Sequence, residues 1–368
     1  MPTRISQAVW HEKYQRWQIN VQFEGKRRSF YSSTPGAKGE RECNGKADKW
    51  LQDKLVNENT RTSKMFEKYL EELKITTSKG NWMPQESHWK AWIEPEFGAK
   101  KIGKVNEQDL KNVITAAHKK GRSKKMLTNI RNTMMSFLKY CRANHCTTLR
   151  PEEIKIPNDA PESNKKPIQP SDIKKLFASS TSTWRCKPCE DRLVHAYRFV
   201  VAVGLRPGEL IGLQRINLEG NVIKVRGSIN KYNDKTKGKN RRAIRTYKIG
   251  KIALGIWKEQ QDMLKREGVV SSYAFPDKDG GPLTLVHLEK AWERYRSYNG
   301  IEKTTPYEMR HTFVSMNKDM PEALKKLVLG HSEDMDTEGT YGHEMEGDLD
   351  RAAKMMDKAL AKIIGRKI

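Results

Sequence analysis

Gly204-Leu205-Arg206-Pro207-Gly208-Glu209-Leu210 carries the punctuation of a tight corner between two helices. Leu193, Ala196, Phe199, Val200 and Val203 precede it at helical spacing. Gly204 suits the left-handed residue that ends such a helix, and Pro207 suits the first turn of the next. Arg206 then projects from a rigid corner. Two further strings lie downstream. In Thr305-Pro306-Tyr307-Glu308-Met309-Arg310-His311-Thr312-Phe313, Pro306 marks a helix start that puts Tyr307 and Arg310 one turn apart on one face. Leu329-Gly330-His331-Ser332 follows, and Tyr341 stands ten residues after His331. Taken singly, each string reads as an ordinary turn or cap.

Working outward, Asn221–Val225 and Arg242–Tyr247 read as a hairpin around a basic loop that contains Lys235 and Lys237. Asp348–Met356, continued through Ala359, Leu360, Ile363 and Ile364, forms an amphipathic helix whose apolar face needs a partner. Upstream, residues 148–170 are rich in proline and polar side chains, the signature of a linker, and Ser171-Asp172 opens the helix that follows.

Before the linker, residues 63–145 are helical in pattern. Met65, Phe66, Tyr69 and Leu73 form one stripe. A second runs through Met126, Leu127, Ile130, Met134, Phe137, Leu138 and Cys141, with Ser123 as N-cap. Lys100, Lys101 and Lys104, then Lys119, Lys120, Arg122, Lys124 and Lys125, cluster between these helices, where cations can grip a phosphate backbone. Earlier still, Trp17, Ile19, Val21 and Phe23 alternate as a strand. Lys26, Arg27 and Arg28 fall in a basic turn, and a helix is expected over Lys46–Val56.

Composition limits what such a chain can do. Its 368 residues suggest two or three domains. The 70 lysines and arginines against 45 acidic residues give a net charge of +25, which points to a polyanionic partner. No apolar run approaches the roughly 20 residues that cross a bilayer, and the N-terminus has no signal-like core. A cytoplasmic, nucleoid-associated protein is expected. The five cysteines read as reduced thiols, and Cys186-Lys187-Pro188-Cys189 as chance spacing rather than half a zinc site. GxxxxGK[ST], HExxH and GxSxG are all absent, and Asp334-Met335-Asp336 reads as a solvated pair, so neither a cofactor nor a metal is expected.

In kind, order and spacing, GLRPGE, YEMRHTF, LGHS and Tyr341 together resemble the tyrosine recombinase family, which includes phage and conjugative-transposon integrases. The resemblance implies a multidomain, mainly α fold with small β elements. Its parts are an α+β arm-type DNA-binding module (1–60), a SAM-like helical core-binding domain (64–148), a linker (149–167) and a mixed α/β catalytic domain (168–368) with a C-terminal docking helix. It also implies double-stranded DNA attachment sites as substrate, clamped between the last two domains. A tetramer, Holliday-junction exchange and an excision accessory protein complete the picture.

By resemblance, Arg206 and Arg310 hold the scissile phosphate, His331 donates to it, and Tyr341 attacks to form a 3′-phosphotyrosine. Guanidinium forks match two phosphate oxygens and stay charged. A lysine of the hairpin loop protonates the leaving 5′ oxygen; Lys235 and Lys237 both qualify, and counting back from Ile244 favours Lys237. Glu209 is a supporting group. Lys26, Arg27, Arg28, Lys100, Lys101, Lys124 and Lys125 are the expected DNA contacts. The sequence departs from the family at Tyr307, where a histidine is usual. A phenol can donate to phosphate but is a poor base at neutral pH, so Tyr307 is a positioning group. A type IB topoisomerase-like enzyme and a non-catalytic DNA-binding protein on the same fold are the rival readings.

Overall fold

The computed structural model describes residues 6–23, 26–54, 57–162, 165–236, 244–330 and 345–367. The chain divides into two units, residues 1–163 and 164–368.

The first unit contains two separate hydrophobic clusters. Strands β1 (Val9–His11), β2 (Arg16–Phe23) and β3 (Lys26–Ser32) form an antiparallel sheet in that order, with Ile19 opposite Phe30. Helix α1 (Gly36–Lys54) lays Cys43, Ala47 and Leu51 on Ile19 and Val21. It begins ten residues before the expected start, because Gly36, Gly39 and Gly45 disguise its first turns as loop. Gly39 lies so close to the chain before it that an added Cβ would collide with the Thr34 carbonyl. Arg27 and Arg28 belong to strand β3 rather than to a turn, paired with Gln22 and Val21.

The helical part comprises α2 (Thr62–Thr76), α3 (Lys79–His88), α4 (Glu107–Lys119) and α5 (Lys124–Ala143). After α3 the chain continues in π-helical turns, Trp89–Gly98, through Pro95, which cannot donate to the preceding turn. Phe66 stacks on Trp89 at 4.1 Å between centroids, and Phe137 meets both edge-on. Ser123 caps α5 by accepting from the Met126 amide. The proline-rich stretch after α5 is not slack chain. Ile154 and Ala160 are buried in the helical cluster with Leu149 and Ile156 against it, and Lys124 donates to Glu162. Its few apolar residues, spaced without period, gave no sign of this packing.

The second unit has one continuous core. Its elements are α6 (Pro170–Ala178), β4 (Thr181–Trp184), β5 (Lys187–Glu190), α7 (Val194–Val203), α8 (Pro207–Gly212), β6 (Leu218–Glu219), β7 (Val222–Val225), β8 (Ser228–Ile229), β9 (Lys235–Thr236), β10 (Arg245–Lys248), α9 (Lys251–Arg266), α10 (Leu285–Tyr298), α11 (Pro306–Met316), α12 (Glu322–Leu329) and α13 (Asp348–Ile364). All ten residues of α7 are buried, as its apolar sequence requires. Strand β7 lies between β10 and β6, and β8–β9 is a separate hairpin against α8. Cys186 sits in the β4–β5 turn and Cys189 in β5, both exposed, with Arg185 and Cys186 in the left-handed region.

The C-terminal helix packs on its own unit. In α13, Ala352, Ala353, Met356, Leu360 and Ala361 complete the core of their own unit. The Asp357 carboxylate accepts from the Lys251 and Ile252 amides, filling the N-terminal donors of α9, and Lys248 binds Asp350. Removing α13 from this place would expose both the apolar face and those amides. No helix among the described residues is long and apolar enough to cross a membrane.

Candidate active site

Gly204 ends α7 at φ +72°, and a Cβ there would come within 2.5 Å of the Phe313 ring, so both backbone and space demand glycine. Leu205 is buried and anchors the corner. Arg206 is the N-cap of α8 and Pro207 its first residue. The Glu209 carboxylate turns back to accept from the Arg206 amide at 2.9 Å. Gly208 passes against Ser228 and the Ile229 carbonyl, which brings the β8–β9 hairpin beside the corner.

Glu209 is the hub of the site. Its side chain is 4% exposed. Oε1 accepts from Arg206 Nη1 at 2.8 Å and from Arg245 Nη1 at 3.0 Å, and Oε2 accepts from Arg245 Nη2 at 2.8 Å. Arg310 Nη1 lies 3.9 Å from the same Oε2. Burial alone would push this carboxyl up. The hydrogen bonds and charge of Arg245, with the amide and side chain of Arg206, overcome burial and hold it at about 2.

Arg310 points inward from α11 and is 4% exposed. Nη1 donates to the Gly204 carbonyl and Nη2 to the Leu329 carbonyl, both at 2.8 Å. One guanidinium thus joins the end of α7 to the end of α12. Burial, reinforced by Arg206, lowers its pKa to about 10, still charged at neutral pH. Arg206 is the outer member, with 31% of its side chain exposed. Three guanidiniums, those of Arg206, Arg245 and Arg310, thus gather around the one Glu209 carboxylate. An anion with several oxygens suits such a place, above all one whose charge grows during reaction.

Tyr307 opens α11 and is 42% exposed. Lys165 Nζ lies 4.9 Å from its ring centroid, and His311 meets the ring edge-on at 5.2 Å. Burial lowers the His311 pKa, with Lys165 adding to the effect. Tyr247 also approaches the arginines. It is completely buried, its hydroxyl donates to the Val203 carbonyl, and burial pushes its pKa up to about 12, all of which unfit it as a nucleophile.

A model of the phage integrase family matches residues 166–347, the span that holds this cluster. The chain belongs to the tyrosine recombinases of the phage integrase family. Two of the relatives it resembles are the tyrosine recombinase XerC of Alcanivorax borkumensis and the integrase of Staphylococcus phage L54a. The first is 23% identical over 74% of this chain and 85% of that protein. The second is 26% identical over 44% and 49%. The recombinase also shares its fold with solved structures. The Tn1549 transposon integrase in complex with a circular intermediate DNA superposes with TM-score 0.64 at 19% identity, covering 80% of this chain and 98% of that one. A lambda integrase tetramer bound to a Holliday junction gives 0.57 at 14%, covering 94% and 99%.

Of the catalytic residues expected in the recombinase, Arg206, Arg310 and Glu209 come together, with Tyr307 one turn from Arg310. Lys237, His331 and Tyr341, and the Asp334–Asp336 pair, lie outside the described residues. Lys235 is described: it is exposed on β9, with Nζ 5.5 Å from the Tyr273 ring centroid. Sequence reasoning missed Arg245. Strand parity was the available signal, since Arg245 and Tyr247 share the buried face of β10 while Thr246 and Lys248 do not. An arginine at a core-facing strand position requires a buried partner.

The expected DNA contacts of the first unit are arranged differently. Lys100 is ion-paired with Asp109 at 2.5 Å, Lys101 reaches Asn59, and Lys124 holds Glu162. Lys125, Arg27 and Arg28 are exposed, and Lys26 opens β3. Lys120 and Arg122 both lie over the Trp92 ring, at 5.5 and 5.3 Å.

Proposed function

We propose that this recombinase cuts and rejoins double-stranded DNA at paired attachment sites, integrating or excising a mobile element. The observation that carries the reading is the fixed group of three arginines gathered around Glu209. In this reading Arg206 and Arg310 bind the non-bridging oxygens of one phosphodiester, and His331 donates to the same group. The Tyr341 hydroxyl releases its proton to solvent as its oxygen attacks phosphorus, the bond to the 5′ oxygen breaks, and that oxygen takes its proton from Lys237, or from Lys235 in its place. The product is a 3′-phosphotyrosine and a free 5′ hydroxyl. Because the ester energy is kept in the enzyme–DNA bond, a second 5′ hydroxyl reverses the attack and seals the strand. Tyr307, held between Lys165 and His311, orients the phosphate.

The arm-type module is assigned to residues 1–60, the core-binding domain to 64–148 and the catalytic domain to 168–368. A tetramer on DNA, assisted by an excision accessory protein and acting in the cytoplasm, completes the assignment.

A plasmid carrying two copies of the DNA that flanks the gene tests this reading. Recombinant circles are the expected product. Relaxed plasmid without recombinants would assign the chain a topoisomerase-like activity. Binding without any covalent adduct would assign it a non-catalytic role.

A further inference from the structure

Arg245 takes no part in the steps above, yet it is the more enclosed of the two arginines hydrogen-bonded to Glu209. Its side chain is 6% exposed. Both Nη atoms donate to the two Glu209 oxygens, and Nε donates to the Val328 carbonyl at 2.6 Å. Val328 and Leu329 end α12, and Arg310 takes the Leu329 carbonyl. Two arginines therefore hold two successive carbonyls at a helix C-terminus, where cations are favoured. Directly beyond, Gly330 turns into the left-handed region at φ +64°, and the chain proceeds to His331.

We propose that Arg245 is a positioning residue for DNA cleavage: it keeps the Glu209 carboxylate from neutralising Arg206 and Arg310, and it fixes the end of α12. The inference rests on the recombinase reading above and deepens it. Without Arg245, a buried carboxylate keeps Arg206 as its direct partner, with Arg310 Nη1 already 3.9 Å away. Glu209 then draws on the two cations meant for the phosphate, and Arg310 is pulled from the Gly204 carbonyl that aligns it. A lysine at 245 restores the charge but not the three-way fork, since an ammonium cannot meet both carboxylate oxygens and the Val328 carbonyl with the same geometry.

The test uses the full-length protein and a nicked suicide duplex built from the DNA flanking the gene. Single-turnover adduct formation and DNA affinity are measured for wild type, Arg245→Met, Arg245→Lys and the double variant Arg245→Met/Glu209→Gln. Arg245→Met should slow cleavage about a hundredfold and Arg245→Lys about tenfold, with affinity unchanged, as expected when transition-state charge stabilisation is lost. The double variant should recover about tenfold over Arg245→Met, because the uncompensated carboxylate is gone. A merely structural role predicts the reverse, since the second change removes still more hydrogen bonds. If circular dichroism shows Arg245→Met unfolded, Arg245→Lys decides, and a wild-type cleavage rate in that variant overturns the proposal. So does a folded Arg245→Met that cleaves within threefold of wild type, or a double variant no faster than Arg245→Met. Failure of the wild type itself to form an adduct sinks the recombinase reading, and this inference with it.

Discussion

The two units hold their cations in opposite ways. In the first, Lys100 and Lys124 are about half exposed and lean on single carboxylates, while Lys120 and Arg122 rest on the face of Trp92. In the second, Arg245 and Arg310 are enclosed, and each joins several elements through carbonyls and a shared carboxylate. Exposed cations on flexible stems move with a phosphate backbone, and their attraction is screened by salt. Enclosed guanidiniums stay where the fold puts them, and reorganising them during a reaction costs little because they are already placed. The first arrangement suits grip, the second chemistry.

The comparison breaks most visibly at Arg310. Arg310→Ala should lower single-turnover cleavage by about 10³-fold, with DNA affinity changed only a few-fold. A parallel loss of affinity and rate would put Arg310 among the gripping cations. Arg206→Lys should cost about 10²-fold in the same assay, since one ammonium cannot span two phosphate oxygens; full activity would mean that charge alone suffices there.

Acid titration probes the enclosed group from another side. The Glu209 carboxyl is held at about 2 in the folded state against an ordinary 4.5. The unfolded chain therefore takes up this proton first as pH falls. Stability from the pair is complete above the ordinary value and is lost as pH drops from there through about 2, on the order of 3 kcal/mol in all. Equilibrium denaturation from pH 6 to 2 should show this loss in the wild type. It should be reduced in Glu209→Gln; an unchanged profile would remove Glu209 from its central place.

Lys125→Ala, which removes an exposed cation, should weaken binding a few-fold on all duplexes alike. The slope of log affinity against log salt should fall by about one for each lysine that contacts phosphate. The smallest effect belongs to Lys100→Ala, which should cost under about 1 kcal/mol of stability and leave DNA affinity unchanged, because the ammonium is committed to Asp109. Loss of affinity there would return Lys100 to the DNA-binding set.

The parts of the molecule that sequence makes legible are those where a backbone requirement selects one residue type. Gly204, Pro207 and Pro306 mark corners that only glycine or proline fill well, so Arg206 and Arg310 could be placed from sequence. The rest is decided by contacts distant along the chain. Strand parity marks Arg245 as core-facing, but its partners are known only once Glu209, 36 residues earlier, and Val328, 83 residues later, are beside it. The destination of α13 was equally hidden. Its apolar face shows that a partner exists, and only the three-dimensional structure shows that the partner is the unit's own core, fastened by Asp357 on α9. The glycines that open α1 misled in the other direction, since low helix propensity was outweighed by packing on the sheet.

The claim at the centre is that the arginine group holds one DNA phosphate for attack by Tyr341. Protease digestion and mass spectrometry of the adduct formed on a nicked suicide duplex test it most directly. The account predicts a nucleotide joined through its 3′ phosphate to the peptide containing Tyr341, and no adduct from Tyr341→Phe. An adduct on Tyr307, a 5′ linkage, or undiminished adduct from Tyr341→Phe would contradict it.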